Sequence, residues 1–141
     1  MIMKKIAIVG SRIYDNKIVI KDFIFKIKEN FGLKTEIVSG GQKDGADGFA
    51  KKYALEFGLK YVEFPPSHYN WNMHCKLPAT KYNKPYYVSN FFKRNKQIAE
   101  YADYVVAFIN RKSKTDETSS KFGQYPPSSA TPYKLLFFQS L

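Results

Sequence analysis

A wholly apolar strand that stops at a glycine constrains this chain more than any other feature: Ile6-Ala7-Ile8-Val9-Gly10, then Ser11-Arg12. A strand with no polar alternation is covered on both faces, as in a parallel sheet flanked by helices. Ligands of such sheets sit at the loops that leave the strands' carboxyl ends. A glycine there lets the backbone approach a bound group, and a hydroxyl beside a guanidinium suits phosphate or carboxylate. Taken alone, the segment is equally a plain strand–turn–helix junction with an incidental arginine.

A second junction repeats the pattern. Thr35-Glu36-Ile37-Val38-Ser39 reads as a strand and ends in Gly40-Gly41-Gln42-Lys43-Asp44-Gly45-Ala46-Asp47. A helical pattern follows, with Ala46, Phe49, Ala50, Tyr53, Ala54 and Phe57 on one face and Gly58 placed to close it. Free amides at such a helix start attract anions. Asp47 either caps the helix as an ordinary first-turn acid or binds a ribose hydroxyl. The glycine spacing is neither that of the dinucleotide fingerprint nor, without a following Gly-Lys-Ser/Thr, that of a Walker loop.

Carried along the chain, this reading gives an α/β fold. Strands are expected at about 5–9, 35–38, 60–64, 104–109 and 135–138. Helices are expected from a cap at Asp15 or Asn16 to about residue 30, over 46–57, and over 90–102 with Ser89 as cap. Right-handed crossovers then predict one three-layer, doubly wound parallel sheet in the order 3-2-1-4-5, spanning 1–141 as a single domain. Residues 65–89, broken by Pro65, Pro66, Pro78 and Pro85, form an insertion expected to serve as a lid or contact surface. In the third helix Asn95 falls on the inward face, where an unpaired amide is costly. Arg94 beside it either turns to the mouth of the site or stays a solvated helix arginine.

Charge adds an anionic partner to the expectation. The formal charge is +11, from 23 basic and 12 acidic side chains. No acid lies between Glu63 and Glu100, an interval that holds Lys76, Lys81, Lys84, Lys93, Arg94 and Lys96 among aromatics that include Tyr69 and Trp71. Basic residues interleaved with aromatics suit phosphate binding with base stacking, although rings packing a loop under solvated lysines would look alike. An excess of Lys, Asn, Ile, Phe and Tyr also follows from an AT-rich genome, which weakens any reading of charge alone. No apolar run approaches the ~20 residues of a membrane span. With a single Cys75 and no leader-type cleavage pattern after Met1, a cytoplasmic protein is expected. His68, His74 and Cys75 match no zinc spacing, so neither a metal nor a cofactor is expected.

Val9-Gly10-Ser11-Arg12, Ser39-Gly40-Gly41 with Gly45-Ala46-Asp47, and Arg94-Asn95 with Ala102-Asp103-Tyr104-Val105-Val106-Ala107-Phe108 resemble the SLOG superfamily, in its small YspA-like, YpsA-related branch. The resemblance covers about residues 4–64 and 90–110. It implies a Rossmann-like sheet that binds nucleotides or nucleotide-derived molecules. Relatives include cytokinin-activating phosphoribohydrolases, DNA-uptake proteins and sensors of cyclic ADP-ribose-type signals in bacterial defence, and they commonly self-associate. The phosphoribohydrolases follow the fourth strand with a Gly-Gly-x-Gly-Thr-x-x-Glu motif. Residues 110–120 here contain no glycine, and Glu117 is only a weak stand-in for the hydrolytic acid.

The expected function is therefore binding of a nucleotide or ADP-ribose-like signal without turnover, as sensor or sequestering sponge, by a homo-oligomer. Gly10, Ser11 and Arg12 would meet one phosphate. Ser39, Gly40, Gly41, Gly45, Ala46 and Asp47 would meet another phosphate or a ribose, Arg94 and Asn95 would complete the site, and Trp71 or Tyr69 would stack on a base. The rivals are a nucleotide N-glycosidase using Glu117 or Asp47, and a nucleic-acid-binding accessory protein whose affinity falls steeply with salt.

Overall fold

The structure, a computed structural model, describes residues 4–109 and the backbone of residues 134–139. Its elements run β1 (Lys4–Gly10), α1 (Lys17–Phe31), β2 (Thr35–Ser39), α2 (Gly45–Glu56), β3 (Lys60–Glu63), α3 (Ser89–Tyr101), β4 (Tyr104–Ile109) and β5 (Lys134–Gln139). The strands are parallel in the order β3-β2-β1-β4, as right-handed crossovers require, and the backbone of β5 pairs beside β4. β1 and β4 are neighbours formed from distant parts of the chain. Their carboxyl ends, at Gly10 and Phe108, therefore border the switch point of the sheet.

The missing polar alternation in the strands is explained by two cores. Successive side chains of a strand point to opposite faces. Ile6, Ile8, Ile37, Val106 and Phe108 meet Ile20 and Ile24 of α1 and Ala50 and Tyr53 of α2 on one face. Ala7, Val9, Val38, Val105 and Ala107 meet Ile98, Ala99 and Ala102 at α3 on the other. Three layers result, with α3 alone over the second face among the described helices.

Of the two caps expected for α1, Asn16 fills the position, its side chain accepting from the Val19 amide at 3.4 Å, while two other helix starts differ from expectation by one residue. Ser89 is the first residue of α3 and not its cap; Val88 precedes the helix with no side-chain cap. α2 begins one residue early, at Gly45, because the Ala46 amide is held by the carbonyl of Ser11 at 3.3 Å.

The 65–89 insertion is tied down rather than loose. The Glu63 amide donates to His74 O at 2.9 Å and the Lys76 amide to Glu63 O at 3.1 Å, so residues 74–76 cover the outer edge of β3. Asn83 and Lys84 bond back to Tyr69 and Ser67. A strand edge left bare is a template for unwanted pairing, and this excursion occupies it at Glu63, the carboxyl end of β3.

Gly45 shows how tightly the two glycine turns are joined. Its φ is +72°, and a Cβ there would overlap Ser11 O and come within 2.6 Å of Arg12 Cα. Gly58 has a similar φ of +75° but nothing within 4 Å of a Cβ. Gly58→Ala is therefore expected to cost about 1 kcal/mol, from the left-handed backbone alone. Gly45→Ala should cost roughly 3 kcal/mol or more, because strain and overlap act together. Urea unfolding of both variants checks the difference, and equal losses would show that the turns are not pressed together.

Candidate functional site

The first and second glycine turns sit side by side at the strand tips. Gly10 has no room for a side chain, since a Cβ would overlap Phe108 O and approach Ala46 Cβ to 2.8 Å. Ser11 donates its amide to Phe108 O at 3.3 Å, accepts from the Ala46 amide, and takes the Ile13 amide on its hydroxyl at 3.2 Å. Arg12 leaves this knot exposed to solvent. Backbone contact thus fixes one turn on the other, and only Arg12 projects.

The second turn is less open than its sequence suggests. The Gly41 amide is taken by Ser39 Oγ at 3.3 Å, the Gln42 amide by Asp47 Oδ2 at 3.3 Å, and the Ala46 amide by Ser11 O. The expectation that free amides at the start of α2 cradle an anion is corrected for these three. The turn instead presents a carboxylate. Asp47 is 4% exposed, and its Oδ1 has no partner among the described residues; nor has the buried Nε2 of Gln42. An unmatched acceptor and an unmatched donor are joined here by one backbone bond.

Positive charge comes from α3. Arg94 is buried, with Nη1 donating to Gly40 O and Nε donating to Asn95 Oδ1 at 3.0 Å. A Cβ on Gly40 would overlap this guanidinium and lie 2.8 Å from Asp47 Oδ2, so only glycine leaves the space. Asn95 is buried and satisfies Arg94, which answers where its inward amide finds a partner. Burial lowers the Arg94 pKa from its usual value, and the Asp47 charge pulls it back up. Arg12 approaches the same region: the Phe91 ring lies 5.5 Å from Arg12 Cζ and 5.8 Å from Arg94 Cζ. Two guanidinium groups thus approach one ring, and the buried carboxyl of Asp47 acts on the Arg94 charge.

Residues of the insertion and β3 complete the surroundings, several of them unforeseen in the sequence. Tyr69 donates to Gln42 Oε1 at 3.0 Å, so it does reach the second turn. Trp71 is 48% exposed. Behind Gly41 the Tyr61 hydroxyl donates to Glu63 Oε1 at 2.8 Å and lies 2.6 Å from Ser39 Oγ. Glu63, 2% exposed, is held further by Asn72 Nδ2 at 2.7 Å and Lys51 Nζ at 3.7 Å. Ser39 is thus wholly internal and supports the turn from behind. A lone acid inside Tyr61-Val62-Glu63-Phe64 was the signal for this network, but its partners come from four separate segments.

Other candidates separate in space. His68 lies among Tyr69, Tyr86 and Phe91, whereas His74 packs against Tyr61 at 5.5 Å. Burial pushes the Cys75 thiol up, which disfavours a reactive thiolate. No group of three or more His, Cys, Asp or Glu that could hold a metal occurs among the described residues. No described helix is long and apolar enough to cross a membrane. Glu117 and residues 110–120 lie outside the described residues.

Both glycine turns lie in the part of the chain that a family model matches. The model of the YAcAr family, the YspA, cpYpsA-related SLOG family, covers residues 4–74. The chain belongs to this family. Among solved structures, this SLOG protein is similar to the molybdenum cofactor binding protein of Rippkaea orientalis at 15% identity and a TM-score of 0.60, covering 98% of this chain and 78% of that one. It is similar also to the molybdenum cofactor carrier protein of Chlamydomonas reinhardtii at 18% identity and a TM-score of 0.58, covering 94% and 76%. At these identities the likeness is one of fold. No curated protein sequence matches the chain.

Asp47 gives the site a pH signature. Burial pushes its carboxyl up to about 6, against the charge of Arg94 and the amides of Gln42 and Gly40, which favour the ionised form. Between the ordinary aspartate value of 3.8 and about 6, the folded protein holds this proton more tightly than the unfolded chain does. The group's contribution is therefore fully present below that window and declines as pH rises through it, by up to about 3 kcal/mol. Asp47→Asn lacks this dependence. Denaturation of both proteins from pH 4 to pH 7 should show wild type losing ground to the variant; parallel profiles would mean that Asp47 is not desolvated.

Proposed function

We propose that this SLOG protein binds a nucleotide or nucleotide-derived small molecule, of ADP-ribose type, at the carboxyl ends of β1, β2 and β4, and holds it without turnover. The observation that carries this reading is the approach of the buried Arg94 and the exposed Arg12 to the same Phe91 ring, beside a turn in which the buried Asp47 Oδ1 and Gln42 Nε2 have no partner among the described residues. Guanidinium groups are suited to phosphate. An open acceptor and donor suit a hydroxyl, and a buried polar atom left unmatched is costly until something matches it.

The roles divide accordingly. Arg12, standing on the Gly10-Ser11 knot, closes over a phosphoryl group that Arg94 and Asn95 approach from below. Gly40, Gly41, Gly45 and Ala46 shape the floor, and Asp47 takes a ribose hydroxyl rather than a second phosphate, which its carboxylate would repel. Tyr69 steadies Gln42, while the half-exposed ring of Trp71 is available to stack on a base. The fold shared with proteins named for binding or carrying a cofactor supports retention over chemistry. Self-association, as a dimer or higher homo-oligomer, is part of the proposal, and sedimentation reads it directly.

One observation favours a second reading, hydrolysis of a nucleotide's N-glycosidic bond. An aspartate with one unpartnered oxygen and a pKa of about 6 is a reasonable general acid or base. Incubation with a panel of nucleotides and cyclic ADP-ribose isomers, followed by heat release and mass spectrometry, separates the two. Intact ligand recovered in proportion to sites is the expected result, and free base would replace binding by hydrolysis. Arg12→Ala should reduce the ligand-induced rise in Tm by several degrees. A rise as large as that of wild type would remove the first turn from the site.

A further inference from the structure

Arg94 faces two ways. Beyond the turns it lines a cleft of about 550 Å³ between the insertion and α3. Lys81 comes from the insertion and Lys93 from α3, and with Arg94 they are the charged groups of its wall among the described residues. Ser67, Asn90 and Gln97 add neutral polar groups, over an apolar floor of Pro65 and Leu77. No acid occurs from Phe64 to Ala99, and no ion pair engages Lys81 or Lys93 among the described residues. Asp47, whose charge acts on Arg94, does not line the cleft.

Three like charges around one concavity repel each other unless an anion enters, and a low-dielectric wall concentrates their field. The volume is far larger than one phosphate needs, and the cations come from two elements rather than one. We propose that this cleft is an oligophosphate subsite: it takes a chain of two or more phosphoryl groups, extending from a ligand whose hydroxyl-bearing end lies against Asp47. The inference rests on the ligand site proposed above and narrows the ligand to a nucleotide whose chain of two or more phosphoryl groups reaches beyond the turns into the cleft. Arg94 is the shared element, gripping the Gly40 carbonyl on one side and facing the phosphoryl chain on the other. Lys81 and Lys93 are rim cations that hold the chain as point charges.

Inorganic tripolyphosphate tests the subsite without knowledge of the natural ligand. Isothermal titration at fixed ionic strength should show saturable binding to wild type. Lys81→Ala combined with Lys93→Ala should weaken it by about tenfold or more, since two cation–phosphate contacts are removed. Both lysines are exposed, so folding should survive, and an unchanged Tm without ligand verifies this. A control pair, Lys26→Ala with Lys60→Ala, removes two exposed lysines that do not line the cleft and should leave affinity unchanged. Equal weakening in the control pair, or no saturable binding to wild type, would overturn the subsite. Asp47→Asn separates it from the parent reading: it should impair a nucleoside diphosphate but not tripolyphosphate. Tripolyphosphate binding with no nucleotide response would retain the cleft and discard the nucleotide site. Nucleotide stabilisation that is indifferent to the Lys81/Lys93 pair would do the reverse.

Discussion

The buried guanidinium of Arg94 is the interaction on which the architecture of this site depends. Removing an arginine from water is costly, and the protein compensates with a carbonyl, an amide oxygen and a carboxylate placed around it. Each compensation fixes something else. Gly40 must lack a side chain, Asp47 must lie within the field of the cation, and α3 must hold its register against β2 so that the contacts coincide. A single side chain thus couples the second glycine turn to the helix layer on the other face of the sheet.

That coupling sets a division of labour between the turns. A glycine-rich strand-to-helix junction ordinarily binds anions through backbone amides. Here Ser39 and Asp47 have taken two of those amides, and the first turn has taken a third. In the proposed site, recognition of negative charge would pass to side chains, Arg12 and Arg94, while the amides stiffen the scaffold. Side-chain cations tolerate varied anion geometry better than a backbone cradle does. A turn carrying a carboxylate discriminates in the opposite sense, against phosphate and towards hydroxyl.

Much of the fold was legible because burial on both faces leaves a plain trace. Ile6–Val9 and Tyr104–Phe108 could only be covered strands, and the spacing of Ala50, Tyr53 and Ala54 placed α2. Arg94 and Asn95 were legible as a pair near the site because Asn95 fell on a face shared with Ile98. Asp47 had two readings in the sequence, and neither foresaw that its carboxylate would bind the turn preceding its own helix. Ser89 misled because a serine before an apolar stretch has the chemistry of a cap, whereas the helix already begins there. Glu63, Tyr61 and the Arg12–Phe91–Arg94 stack were invisible for a general reason. Each contact set draws in at least one residue from another element, such as Ser39 at Tyr61, Asn72 at Glu63 and Arg12 at Phe91, and periodicity carries no information about which segments meet. The cleft was hidden likewise, its wall being assembled from the insertion and α3 only after both dock.

The seam between Glu63 and residues 74–76 has a consequence for how this protein can diversify. Because the excursion doubles as the sheet's outer border, trimming it would leave β3 open to adhesion with another molecule's strand. Shortening residues 65–89 would thus remove a border as well as a loop, whereas an exposed side chain such as Lys81 can be exchanged on a frame of constant length.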